Sequence, residues 1–258
     1  MIPSELEAHL RDSRFIGAES HFDVRWLAST PSTMDVAAKL ATDGARAGVV
    51  VVADEQTAGR GRRGNNWSSP PGAGLYLSFI ARPKVDVLPL LTLAAGVAVR
   101  DGIVASTGLW PNLKWPNDLL VGRRKLAGIL AEGLAIGSAD QAVVIGVGIN
   151  LQPASYPPDV SARATSLEGE LGRAVDRGLV LVEVLAAIRE QLAQLEQNPG
   201  DILQAWRASA PSAVGTRVEW DGRTGVTAGV DDSGALLVKT ADRVERIISG
   251  ELTWHLGT

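Results

Sequence analysis

Apolar and polar positions change period along this chain, and the changes divide it. Residues 22–28 alternate, with Val24, Trp26 and Ala28 set against Asp23, Arg25 and Leu27, and predict a strand. Ser29-Thr30-Pro31-Ser32-Thr33-Met34-Asp35 reads as a turn whose Ser or Thr caps a helix over 34–42, with Gly44 as its stop. Val49-Val50-Val51-Val52-Ala53 is a buried strand and Leu75 to Ile80 another. Residues 89–104 predict an apolar helix starting at Pro89, with Leu90, Leu93, Ala94 and Val97 on one face. Leu113 to Val121 reads as a strand broken at Pro116, which has no N–H for a ladder; the break would turn Asn117 and Asp118 out of regular pairing. A turn at Gly122-Arg123-Arg124 then leads into a second hairpin arm, Lys125 to Glu132, and Ala142 to Asn150 forms a further strand.

A short amphipathic helix over 5–11, a Pro- and Ser-rich loop over 151–166 and helices over 179–195 and 200–209 complete this part. After Pro211-Ser212 the period shortens. Short strands within 217–220, 224–230, 236–240 and 244–248, joined by Asp/Gly turns, predict a small β-barrel. The expected division is 1–210 and 211–258, an α+β chain with a mixed sheet and a separate barrel.

At 258 residues with 45% hydrophobic positions the chain can bury a sizeable core. A net charge of −4 argues against general nucleic-acid affinity, so any basic site must be local. The absence of cysteine excludes disulfides, thiolate metal sites and cysteine nucleophiles. The three histidines, His9, His21 and His255, are too scattered for a recognisable metal or triad spacing. No unbroken apolar run approaches the ~18–20 residues of a membrane span, and the N-terminus has no signal-peptide pattern. A soluble, cytoplasmic protein is expected. Arginine heavily outnumbers lysine, and two of the few lysines, Lys114 and Lys125, stand close together.

The densest chemistry follows the valine run: Gly59-Arg60-Gly61-Arg62-Arg63-Gly64, then Asn65-Asn66-Trp67. Glycine lets backbone N–H groups approach a ligand, and guanidinium supplies fixed charge, so the stretch suits an anion such as a nucleotide phosphate. It spells G-x-G-x-x-G, but that fingerprint needs a helix at once and an acidic residue ~20 positions on. Here Ser68-Ser69-Pro70-Pro71 follows, with no Asp or Glu from Asn65 to Lys84, and the Rossmann reading fails. The P-loop pattern is absent too. Arginines, lysines and one Asp suit attack on phosphorus, where a protein positions reactants and offsets charge. Blander readings stay open: a solvated basic loop, plain caps at Ser32 and Thr33, and a turn residue at Asn150.

Taken together, the sequence resembles the biotin–protein ligase family. The resemblance rests on Ser32-Thr33, Asp54 to Gly64, Trp67 to Pro70, Lys114-Trp115-Pro116-Asn117-Asp118, Arg124 to Leu130, Gly146 to Asn150 and the tail from Gly225 to Leu237, in family order from about 22 to 252. It implies a catalytic domain like those of class II aminoacyl-tRNA synthetases and biotin synthetases, with an SH3-like C-terminal barrel. It implies attack of biotin on Mg-ATP to form biotinyl-5′-AMP, then transfer to a lysine of a biotin carboxyl carrier domain of biotin-dependent carboxylases.

By the same resemblance, Lys125 bridges the biotin carboxylate and the phosphate. Arg60 and Arg62 hold the loop over the intermediate, with Gly61 lining it and Arg63 beside the nucleotide. Ser32, Thr33 and Gln56 take the ureido head, and Gly128 lets the backbone come close. Trp67 covers the adenine, Lys114, Asn117 and Asn150 contact the nucleotide, and Asp118 meets or orients the incoming carrier lysine. The Mg²⁺ ligands are not implied. Relatives often have Asn where this chain has Met34, so a polar contact is lost there, and Asn65-Asn66 is less basic than in some. The pattern begins near residue 22, leaving no room for the helix-turn-helix of relatives that repress biotin genes, so a ligase without DNA binding is expected. A homodimer is compatible with the family. The rivals are a lipoate–protein ligase or octanoyl transferase, and a nucleotide- or nucleic-acid-binding regulator.

Overall fold

The computed structural model describes residues 4–10, 22–250 and 252–256; Met1 to Pro3, Arg11 to His21, Glu251, Gly257 and Thr258 lie outside the described residues. The predicted N-terminal helix is α1 (Ser4–Leu10). Strand β1 (Asp23–Thr30), helix α2 (Thr33–Thr42) and strand β2 (Val49–Gln56) form a crossover unit in which β1 and β2 run parallel. Then come β3 (Gly74–Ala81), α3 (Leu91–Thr107), β4 (Asn112–Lys114), β5 (Asp118–Val121), β6 (Arg124–Leu134) and β7 (Ala142–Asn150). These strands make one seven-stranded sheet in the order β1-β2-β3-β7-β6-β5-β4, antiparallel after the first pair. Helices α4 (Leu167–Leu171), α5 (Arg177–Gln197) and α6 (Pro199–Ser209) follow.

The sheet is covered unequally. Val50 and Val52 face the large core with Leu75, Leu77, Phe79, Ile145 and Val147, under α3 and α5. Val49 and Val51 face a smaller cluster with Ile80 and Val144, under Met34, Ala37 and Ala41 of α2. Covering on both faces explains why β2 reads as an unbroken valine run rather than an alternation. Helix α2 packs on β2, β3 and β7, and the same face beyond it, over β6 and β5, forms a cleft.

Two details differ from the sequence reading. Pro89 lies in a 3₁₀ turn, Val85–Leu90, and the α-helix begins at Leu91; a proline without N–H suits that lead-in. The turn and helix together are long and apolar enough to cross a membrane by length and composition, but most of the segment is buried as a core helix against α5. At Pro116 the chain does more than break: it reverses, and β4 and β5 pair with Lys114 opposite Asp118. Asp118 is therefore inside the sheet, paired also with Gly128, and of the two only Asn117 stands in the turn, after Trp115 and Pro116.

The tail forms β8 (Val214–Trp220), β9 (Arg223–Val230), β10 (Leu236–Lys239), β11 (Val244–Ile247) and β12 (Thr253–His255). Asp221 and Gly222, both at positive φ, make the tight turn expected between right-twisted strands. The strand order β11-β10-β9-β8-β12 leaves the first and last unpaired with each other, so this SH3-like unit is an open antiparallel sheet and not the closed barrel predicted. It shares a core with the larger unit, Val218, Leu236 and Val238 lying in one cluster with Trp115 and α6 residues. Trp115 Nε1 donates to Gly234 O at 3.0 Å across the junction.

Candidate active site

A cleft of about 260 Å³ opens beside α2. Its floor is the sheet face that carries Gly128 on β6 and Gly146 and Gly148, alternate positions of β7, none of which puts a side chain into the cleft. Gly128 and Gly148 are cross-strand partners. The Trp67 indole lies over them: a Cβ on Gly148 would come within 2.5 Å of the ring, and one on Gly128 within 3.1 Å. A Cβ on Gly146 would stand 2.6 Å from Met34 Sδ, so Met34 fills that end with an apolar group.

The polar end is built at the start of α2. Ser32 caps the helix, accepting from Met34 N at 3.3 Å, which is the bland reading of this residue, and it also lines the cleft. The Thr33 N–H and hydroxyl both donate to Gln56 Oε1, at 2.9 and 3.0 Å. Gln56 Nε2 donates to Ser69 Oγ at 2.8 Å. The amide is thus held in one orientation, carbonyl toward α2 and NH₂ toward the loop. Buried Ser78, bonded to Thr33 Oγ1 at 2.7 Å, belongs to this network and was missed in the sequence, where it is one polar residue in an apolar strand.

The glycine–arginine stretch is a compact hairpin rather than an extended loop. Trp67 N donates to Gly59 O, Gly61 N to Asn65 O, and Arg60 pairs with Asn66. A Cβ on Gly59 would meet Trp67 O at 2.4 Å, which requires glycine there. Polar side chains anchor it as well as Trp67. Arg60 reaches Asp35 at 3.0 Å and Glu132 at 3.1 Å, and Arg62 Nη1 donates to Asn117 Oδ1 at 3.3 Å. Burial lowers the pKa of Arg62, Arg63 adds to this and Asp118 opposes it, yet guanidinium stays protonated at any working pH. Asn117 also donates to Ile129 O at 2.7 Å, which ties the turn to β6.

At the far side Asp118 is shared by two lysines. Lys125 Nζ lies 2.6 Å from Oδ1 and Lys114 Nζ 3.3 Å from Oδ2. Burial would raise the pKa of Asp118, but the two ammonium groups and their hydrogen bonds outweigh it and hold the carboxyl below its usual range. Lys125 also stands 5.3 Å from the Trp67 ring. Its placement depends on a register shift: Leu119 pairs with Ala127 but Leu120 with Lys125, so Leu126 is an extra residue in β6. Without that bulge Lys125, three residues before Gly128, would point to the opposite face. The backbone beside it is held by the 160s loop, through Lys125 N to Arg163 O and Thr165 N to Lys125 O.

The cleft thus gathers Ser32, Thr33, Gln56, Arg60, Gly61, Arg62, Arg63, Trp67, Lys114, Asn117, Asp118, Lys125 and Gly128. Asn150 is the exception. It is buried at the end of β7, donating to Thr165 O at 2.9 Å, and does not line the cleft. The tail contributes Gly250, Leu252 and Trp254, which no local signal in the sequence tied to the site. Among the described residues no group of three or more His, Asp or Glu side chains is set to hold a metal.

Comparison with known proteins bears on the family and the fold. Residues 26–150 match the biotin/lipoate A/B protein ligase family, and 223–252 match the biotin protein ligase C-terminal domain. The chain is 36% identical over 264 residues to the biotin–[acetyl-CoA-carboxylase] ligase of Mycobacterium tuberculosis, covering 97% of this chain and 95% of that one. It is 36% identical over 231 residues to the bifunctional ligase/repressor BirA of Bacillus subtilis, covering 86% and 70%. The biotin protein ligase of Aquifex aeolicus, solved with biotin and ATP, superposes with a TM-score of 0.78 at 31% identity, covering 91% and 99%. The chain belongs to the biotin–protein ligase family.

Proposed function

We propose that this enzyme activates biotin with ATP and transfers it to a lysine of a biotin carboxyl carrier domain of a biotin-dependent carboxylase. The observation that carries the reading is the Lys125–Asp118–Lys114 cluster, set between a fixed amide network and a glycine–arginine hairpin. In the first step a biotin carboxylate oxygen attacks the α-phosphorus of ATP, and the bond to pyrophosphate breaks. Two anions must meet, and Lys125 supplies positive charge where they join. Gln56, Ser32 and Thr33 present donors and acceptors to the ureido ring. Thr33 bonds over β3 and Lys125 lies on β6, two strand steps away, or ~10 Å at the usual strand spacing; a ring at one end thus leaves an extended acid chain pointing at the lysine.

Arg62, oriented by Asn117, faces the phosphate of the new acyl–phosphate anhydride. Trp67, whose buried indole N–H has no partner among the described residues, closes over the intermediate and keeps water from the anhydride. In the second step the neutral amine of the carrier lysine attacks the acyl carbon, AMP leaves and the amine loses a proton. Asp118, ionised and next to the reacting centre, orients that incoming group. Asn150 acts from behind, fixing the loop that holds the Lys125 backbone. Among the described residues the donor set offers no protein cage for Mg²⁺, so the ion would arrive on the nucleotide phosphates.

This chain by itself is proposed to act as a ligase without operator binding, in keeping with its net charge of −4. A gel shift at a specific operator at physiological salt would overturn that part. The reaction itself is tested by transfer of labelled biotin to a purified carrier domain with ATP and Mg²⁺, with lipoate in parallel. Biotin-specific, ATP-dependent labelling of the carrier lysine is expected; preference for lipoate, or binding without transfer, would reject the reading.

A further inference from the structure

We propose that Trp254, from the C-terminal unit, is a positioning residue for the nucleotide end of the site and acts through Lys114. The inference rests on the function proposed above. Trp254 is placed by its own sheet, paired with Val218 between β12 and β8. Its ring lies 5.7 Å from Lys114 Nζ, whose other side meets Asp118 Oδ2 at 3.3 Å. Lys114 and Asp118 are direct cross-strand partners, so the carboxylate is fixed by the backbone while the long lysine stem is not. An indole face attracts an ammonium through its quadrupole. It therefore limits where the stem can swing and keeps a cation in the cleft that would otherwise turn to solvent.

The position along the sheet says which substrate this concerns. Thr33 bonds to Ser78 on β3, while Lys114 is on β4, four strand steps away. At the usual spacing that is ~19 Å, about twice the distance to Lys125. Lys114 Nζ meets the same carboxylate as Lys125, so its cation reaches the junction, while its backbone and Trp254 lie on the side away from the Thr33 network, where the nucleotide would lie. The charge arithmetic agrees: Asp118 has one negative charge for two lysines. Holding Lys114 on Oδ2 shares that carboxylate and leaves Lys125 less neutralised for the reacting oxygens.

The test compares Trp254→Phe, Trp254→Leu, Lys114→Ala and the double variant Trp254→Leu/Lys114→Ala in biotin-dependent ATP–pyrophosphate exchange. Leu is expected to raise KM for ATP about three- to tenfold, the range a cation–π contact commands, with biotin affinity within about twofold, while Phe stays close to the parent. The double variant should be no worse than Lys114→Ala alone. Leu behaving like Phe, equal losses toward biotin and ATP, or multiplying effects of the two sites would overturn the proposal and mark Trp254 as packing only. A second measurement needs no activity. The chain has only Lys39, Lys84, Lys114, Lys125 and Lys239, so reductive ¹³C-methylation yields few NMR signals. That of Lys114 should be shifted upfield by the indole and lose the shift in Trp254→Leu; an unshifted signal in the parent would also overturn it. Absence of exchange in the parent enzyme, with the shift present, would instead reject the proposed function and leave the contact standing.

Discussion

Lys125 Nζ and Asp118 Oδ1 meet at 2.6 Å although one residue opens a hairpin arm and the other begins the facing strand. The bulge at Leu126 is what turns them to one face, and Lys114 takes the second carboxylate oxygen. One anion thus holds two cations at the place where two anionic substrates would join, and the catalytic expectations follow from that balance.

Lys125→Ala should slow biotinyl-AMP formation by about 10²–10³, the usual cost of removing a charge partner of the transition state. Single-turnover rates near those of the parent would show that the lysine is not at the junction.

Asp118 should also leave its mark on acid stability. Its folded pKa is depressed, by Lys125 and Lys114 against the opposing effect of burial. The stability it contributes is therefore present above the unfolded carboxylate pKa of about 3.9 and is lost as pH falls through the lower folded value. The difference in urea midpoint between the parent and Asp118→Asn should be largest near neutrality and shrink below about pH 4. A difference that is flat or grows toward low pH would contradict the pairing.

Gln56→Leu should weaken biotin binding about 10- to 100-fold, since a fixed amide is lost and both Thr33 donors lose their acceptor. Biotin KM should carry most of the change and kcat little, as for uniform binding. Equal losses in kcat, with KM unchanged, would place Gln56 elsewhere in the reaction.

Gly148→Ala should displace the Trp67 indole, whose ring atoms lie 2.5 Å from where the new methyl would stand. Trp67 sits on a hairpin that can lift, so the fold should survive at a cost of about 1–3 kcal/mol at most. Biotinyl-AMP release should accelerate about tenfold or more if that contact closes the site. Unchanged release, measured by trapping the free adenylate, would show that Trp67 does not cover it.

Hydrogen exchange over 59–67 should slow when biotinyl-AMP is added. The hairpin closes mainly on itself and on half-exposed Arg60 ion pairs, so its opening is expected at the low end of the stability scale. Protection that is the same in both states would mean that the intermediate does not order it.

Much of this protein is legible along the chain because its determinants are local. Hydrophobic period marked β2, β3, β7 and α5, the Asp-Gly turn marked the β8–β9 hairpin, and the glycine–arginine stretch stood out by composition alone. Motif order was enough to indicate the family, since the motifs lie in short contiguous runs, most of which line the cleft. Tertiary structure decided what depends on register and on distance in space. Pairing across the Pro116 turn brought Asp118 into the sheet, and one extra residue at Leu126 chose the face of Lys125. Packing committed Asn150 to the 160s loop, and the seating of the tail put Trp254 beside Lys114, 140 positions away by numbering. A strand's face flips with a single residue, and two units meet through surfaces with no period of their own. Neither is written in any short window of the sequence.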